Sequence, residues 1–296
     1  MTESVLEPID QVKALLRNLK ASRGDLAARR LAMEQSGART PLPEQVSVTE
    51  EVLAGVRALR LSTPSAVNTR HVLYVHGGAY VAGSAQSYRM FGSRIAVGLD
   101  AVVHVLDYRL APEHPFPAAV LDTEAAYGAL VKEYPDAKIA VVGDSAGAGA
   151  AIAAIVRVLG EGGEAPAALA CISPYTDMRL DSRSHRERAE RDPFLTTVNL
   201  RADAELYLQG ASPTDPSASP ILADLSGLPP TLVQVGTEEI IYDDSADFAR
   251  LAREQGVEVE FREWEGMVHV WHAFAAILPE AREAIAEMIG FLRARL

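Results

Sequence analysis

The chain has 296 residues, 48% hydrophobic and 23% charged, which suits a soluble globular protein with a large core, as one big domain or one domain plus a small accessory. A net charge of −12 argues against a nucleic-acid partner, which would need a basic face, and no run of about 18 apolar residues offers a membrane span. The one cysteine, Cys171, rules out an internal disulfide, and its apolar run marks a buried structural thiol.

In chain order, Met1-Thr2-Glu3-Ser4 lacks a positive region followed by an apolar core, so no signal peptide is expected and the cytoplasm is the default location. Residues 8–35 read as one or two amphipathic helices. Ile9, Val12, Leu15, Leu16 and Leu19 form the stripe, with Lys13, Arg17 and Lys20 opposite. Thr40-Pro41-Leu42-Pro43 is a linker. The alternation over 45–62 predicts two antiparallel strands turning at Ala54-Gly55. Strands follow at 71–75, 101–106, 139–142, 168–173, 231–235 and 257–264, with helices at 87–99, 118–133, 200–208 and 243–255. Ala284, Ile285, Met288, Ile289 and Leu292 give a closing helix its apolar face. Residues 176–219 break the alternation, and the charged run 179–192 reads as a solvated helix or loop of mixed sign. Repeated strand–helix units predict an α/β fold with a mostly parallel sheet covered on both faces, and a site at the carboxyl ends of its strands.

Val141-Val142-Gly143-Asp144-Ser145-Ala146-Gly147 is the stretch around which this pattern is organised. A strand breaks into Gly-x-Ser-x-Gly and a small-residue helix follows, the context of a nucleophile elbow. Its glycines give neighbouring segments room to approach. A rival, the dinucleotide fingerprint, begins at Gly147-Ala148-Gly149 but finds Ile152 where its third glycine should stand.

A serine hydroxyl needs a base, an acid that orients the base, and N–H donors for the tetrahedral intermediate. The expected chain order is Ser, acid, His. Of seven histidines, His269 follows the last predicted strand and His272 is the runner-up. His71 and His104 lie in strands, His114 in a proline-rich loop and His185 in the charged run. For the acid we select Glu239. Glu238 and Asp243 are alternatives that position alone does not separate, and Asp243 also suits a helix start. The loop His76-Gly77-Gly78-Ala79 aims successive amides at one point, with Ala146 completing the set. The candidate oxyanion donors are thus Gly77, Gly78, Ala79 and Ala146.

Taken together, these residues resemble the hormone-sensitive-lipase-like bacterial esterases of the α/β-hydrolase superfamily, in the subgroup carrying Gly-Asp-Ser-Ala-Gly. The resemblance runs from about Leu73 onward through His76-Gly77-Gly78-Ala79-Tyr80, Asp107-Tyr108-Arg109-Leu110-Ala111-Pro112-Glu113, Gly143-Asp144-Ser145-Ala146-Gly147, Ser219-Pro220, Gly227-Leu228-Pro229-Pro230 and Gly266-Met267-Val268-His269. It implies an α/β-hydrolase fold with a helical cap and a serine carboxylesterase that uses no cofactor or metal. Short- to medium-chain acyl esters would be its substrates and a homodimer its assembly. It also implies N-terminal cap helices over 1–42, a cap insertion over 176–219, and a catalytic domain over 43–175 and 220–296. His76 and the Asp107, Arg109 and Glu113 loop carry over as scaffold. The chain departs from the family at Ala79, where a glycine is usual, and at Glu239, where an aspartate is frequent. Amidase, lactonase or deacetylase chemistry would use the same triad, because specificity lives in the cap. A non-catalytic small-molecule receptor on this fold would be expected to lose a triad member, and none is missing here.

Overall fold

The protein is described here from a computed structural model, covering residues 7–21 and 24–296. The segment read for a signal peptide lies outside the described residues. Eight strands form one sheet: β1 (Ser47–Leu53), β2 (Val56–Ser62), β3 (Arg70–Val75), β4 (Val102–Asp107), β5 (Lys138–Asp144), β6 (Ala168–Ile172), β7 (Thr231–Gly236) and β8 (Val259–Trp264). Their order is β1-β2-β4-β3-β5-β6-β7-β8. β1 and β2 run antiparallel to their neighbours, and all other pairs are parallel. Ala54 and Gly55, with φ of 48° and 89°, make the two-residue turn between β1 and β2. Both central residues at positive φ are what a twist-matched hairpin turn requires.

The helices are α1 (Pro8–Ala21), α2 (Leu26–Arg39), α3 (Ala85–Leu99), α4 (Ala118–Glu133), α5 (Ala146–Gly160), α6 (Ser184–Glu187), α7 (Thr197–Leu208), α8 (Tyr242–Glu254) and α9 (Pro279–Arg293). α4, α5 and α8 bury Leu130, Ile152 and Phe248 in the core on one sheet face. α3 and α9 bury Ile95, Leu99, Met288 and Leu292 in the core on the other. Each such fully buried side chain contributes roughly 1.5–3 kcal/mol. α3 starts two residues earlier than the apolar pattern suggests. Ser84 and Ser87 form a capping box, and Asp107 Oδ1 accepts the Ala85 amide at 3.1 Å. Among the described residues no helix is long and apolar enough to cross a membrane.

Two expectations change. The N-terminal stripe is narrower than its pattern, since Val12 and Leu16 are buried while Leu15 and Leu19 are exposed. Its opposite face is not idle: Lys13 Nζ pairs with Glu238 at 3.4 Å and Lys20 Nζ donates to the Asp192 carbonyl at 2.9 Å. The charged run 179–192 is not simply solvated either. It holds only the single turn α6 and buries Leu180, Ser184, His185 and Asp192. Its charges find partners across the fold, which local mixed-sign patterning does not reveal.

α2 and α7 lie over the loop that follows β3. Arg29 of α2 forks onto Asp203 of α7 at 2.9 and 3.1 Å, and Arg30 donates to the carbonyls of Val81 and Ala111 at 2.7 Å each. Tyr207 of α7 stacks on Tyr80 with ring centroids 4.0 Å apart.

Candidate active site

Ser145 stands between β5 and α5 at φ 51°, ψ −123°. This is a sparsely populated conformation for a residue with a side chain, costing of order 1–3 kcal/mol. Three hydrogen bonds hold it. Its N–H donates to the Ile172 carbonyl at 2.8 Å, and its own carbonyl accepts from Tyr175 N–H at 3.0 Å and Gly149 N–H at 3.2 Å. The flanking glycines are needed for close approach. A Cβ at Gly143 would lie 2.7 Å from the Ala148 nitrogen, and one at Gly147 would lie 2.1 Å from the Val75 carbonyl oxygen. Gly149, part of the apparent dinucleotide fingerprint, sits inside α5 against the Tyr175 carbonyl, so its place is set by packing.

Ser145 Oγ lies 3.0 Å from His269 Nε2, and His269 Nδ1 lies 2.8 Å from Glu239 Oε2. The structure therefore brings together the three residues selected from sequence, from three different strand ends. Glu239 is fully buried, and its Oε1 accepts from Gly236 N–H and Ser173 Oγ–H, each at 2.7 Å. With Glu239 accepting at both oxygens, His269 carries its proton on Nδ1 and leaves Nε2 to accept from Ser145. Burial alone would lower the pKa of His269. The hydrogen bond and charge of Glu239 outweigh it, helped by Asp192 and Asp144, and the pKa is raised.

The alternatives are engaged elsewhere. Glu238 pairs with Arg191 at 2.5 Å and with Lys13. Asp243 accepts the Ser184 amide at 2.8 Å. His272 is buried against Gln234 Oε1 at 2.9 Å, and burial lowers its pKa to about 3. Like the buried His71 and His104, it makes no contact with Ser145.

The oxyanion loop requires one correction. Gly77 was expected among the donors, but its N–H is spent on Asp144 Oδ1 at 2.9 Å. Asp144 is a buried carboxylate that must find donors, and it takes this amide with the hydroxyls of Tyr74 at 2.7 Å and Tyr88 at 3.1 Å. Burial still raises its pKa to about 6, against those bonds and the field of His269. The amides of Gly78, Ala79 and Ala146 have no acceptor among the described residues. Ala79 adopts φ 55°, which places a methyl where the family's usual glycine would strain less. His76, buried and stacked on Tyr108 at 4.2 Å, anchors the loop through Nδ1 and the Gly77 carbonyl at 2.8 Å. Its pKa is lowered to about 4 by burial, so it is neutral and structural.

Three polar groups around the site were not singled out from sequence: Asp144, Ser173 and Asp192. Asp144 lay in plain view as the variable residue of the motif. Ser173 accepts the Val270 amide at 3.1 Å while donating to Glu239, tying the acid to the segment that carries His269. Nothing local marks it except its place at the end of β6. Among the described residues, no group of three or more ligating side chains converges as a metal site would require.

Residues 72–273 match a family model described as the α/β-hydrolase fold. An acetyl-hydrolase of Streptomyces hygroscopicus is 45% identical over 231 residues, covering 78% of this chain and 77% of the relative. An esterase of Acinetobacter venetianus is 38% identical over 241 residues, covering 81% and 79%. The crystal structure of an esterase from the bacterial hormone-sensitive lipase family superposes with a TM-score of 0.94 at 40% identity, covering 99% of each chain. Likeness of this extent in both sequence and backbone gives the family: the chain belongs to the hormone-sensitive-lipase-like bacterial esterases of the α/β-hydrolase superfamily and is a carboxylic ester hydrolase.

Proposed function

We propose that this esterase works through an acyl-enzyme on Ser145, with His269 as base and Glu239 as the acid that holds it. The observation that carries the reading is the unbroken hydrogen-bond chain Glu239–His269–Ser145, ending on a serine held in a strained turn. His269 Nε2 takes the hydroxyl proton as Oγ attacks the ester carbonyl. Glu239 stabilises the resulting imidazolium. The amides of Gly78, Ala79 and Ala146 receive the oxyanion, where preorganised donors lower the barrier without reorganising. His269 then protonates the leaving alcohol, and a water activated by the same imidazole releases the acid. Every proton is moved by the side chains named, so the reaction requires no cofactor.

The described residues of 1–42, together with 176–219, act as a cap over a catalytic domain formed by 43–175 and 220–296. The Arg29–Asp203 and Tyr80–Tyr207 contacts support this division, since they tie α2 and α7 to each other and to the oxyanion loop. Short- to medium-chain acyl esters are the substrates we assign, and the acetyl-hydrolase name of one relative favours the short end. The cytoplasmic location and the homodimer expected from sequence belong to the same reading, testable by cell fractionation and light scattering.

A p-nitrophenyl ester series from acetate to decanoate, run on the parent and on Ser145→Ala, tests the chemistry. Hydrolysis should be fastest on short chains and be lost in the variant. A Ser145→Ala protein as active as the parent would sink the mechanism.

A further inference from the structure

The loop that carries Glu239, between β7 and α8, is gripped from outside by one stretch of the insertion. Arg188 donates to the Thr237 carbonyl, and Arg191 pairs with the Glu238 side chain at 2.5 Å. Ser184 Oγ–H donates to the Ile240 carbonyl at 2.6 Å. Asp192 Oδ2 accepts the Ile240 amide at 3.0 Å, the N–H of the peptide bond that leaves Glu239.

Asp192, buried like Ser184, is the one carboxylate of the four, and its second oxygen, Oδ1, accepts the amides of Phe194 and Leu195 at 2.8 Å each. A local turn would need only that oxygen. The other reaches 48 residues along the chain to the acid loop. Its carbonyl takes Lys20 of α1, so one residue joins the N-terminal helix, the insertion and the acid loop. Three amide donors favour the ionised carboxylate, although burial raises its pKa. Three carboxylates act on His269: Glu239 by direct hydrogen bond, then Asp192 from the insertion and Asp144 from the end of β5.

We propose that Asp192 is a positioning residue for the acid–base pair: Oδ2 fixes the Glu239–Ile240 peptide so that Glu239 meets His269, and its buried negative charge favours the imidazolium formed during attack. The proposal rests on the triad reading above. It gives the charged run a purpose beyond covering the site, since the cap then sets the geometry of the catalytic acid.

The test compares Asp192→Asn, Ser184→Ala and Glu239→Gln on p-nitrophenyl acetate, with kcat and KM followed across pH. Asp192→Asn presents an amide to one of its N–H donors and removes the charge. Its kcat should fall about ten- to hundredfold, as for loss of a hydrogen bond to a charged group, with KM little changed. The acidic limb of kcat/KM should move to lower pH, because the imidazolium loses a negative neighbour. Ser184→Ala frees the Ile240 carbonyl, in the next peptide along from the one Asp192 holds, without changing charge, so kcat should fall less and the limb stay in place. An Asp192→Asn enzyme with parental kcat, or with an unmoved limb, overturns the proposal. If Asp192→Asn does not fold, Asp192→Glu serves: it keeps the charge but displaces the oxygen, so kcat should fall with the limb unmoved, and parental kcat overturns the positioning role. Glu239→Gln separates the two readings. If it retains kcat the triad assignment fails. If it alone loses kcat, only the role of Asp192 fails.

Discussion

The two loops that meet at His269 are built in opposite ways. The Ser145 turn is held by its own neighbourhood: backbone bonds to β6 and the loop after it, and glycines that let α5 approach β3. The Glu239 loop is held by side chains that arrive from far along the chain, namely Ser173, Ser184, Arg188, Arg191, Asp192 and Lys13. The nucleophile needs a strained backbone, and only rigid secondary structure can store that strain. The acid needs a particular orientation of a flexible side chain, and polar contacts supply it. A glutamate in this place has one more torsion to fix than an aspartate, which gives the outside grip more to do.

This contrast can be broken at either loop. The largest effect belongs to the acid itself: Glu239→Gln should lose roughly 10⁴-fold in kcat, because a neutral amide neither holds the Nδ1–H tautomer nor stabilises the imidazolium. Glu238→Gln and Asp243→Asn should cost little activity, since both carboxylates are engaged away from His269. A loss centred on Asp243 would overturn the assignment.

At the elbow the damage should be to the fold. In Gly147→Ala the new methyl would lie 2.1 Å from the Val75 carbonyl oxygen and 2.4 Å from that of His76, both backbone atoms. Thermal melting should report a loss of about 1–3 kcal/mol, with activity falling as the Ser145 turn shifts. A melting temperature equal to the parent's would mean that the elbow is less tightly determined than its contacts indicate.

The smallest effect is a placement on the pH axis. His269 must be neutral to act as base, and its pKa is raised above 6.5. The kcat/KM profile should therefore climb through a midpoint above that value and flatten at higher pH. A midpoint at or below 6.5 would show that the carboxylates around His269 do not outweigh its burial.

Much of this was legible in the chain itself. Gly143-Asp144-Ser145-Ala146-Gly147 announces its own geometry, because a strand, a strained turn and a close-packed helix demand small residues at fixed spacing. His269 and Glu239 could be selected because an α/β sheet gathers its strand ends on one side. The choice of Glu239 over Glu238 and Asp243 was a preference that sequence position could not enforce. The structure distinguishes them by the depth of the loop: Glu239 points inward between Gly236 and Ser173, while Glu238 points out to Lys13 and Arg191.

Sequence alone thus determined what covalent geometry and periodicity control: the α/β layering, the elbow and the glycine-rich loop. Tertiary structure decided whatever depends on which polar atoms become buried together. Asp144 claims the amide of Gly77, so that amide cannot face the substrate. Asp192 and Ser184 leave the charged run to hold the amide and the carbonyl of Ile240, the residue after Glu239. A buried polar group takes the nearest partner the completed fold offers, and that partner can lie anywhere in the chain.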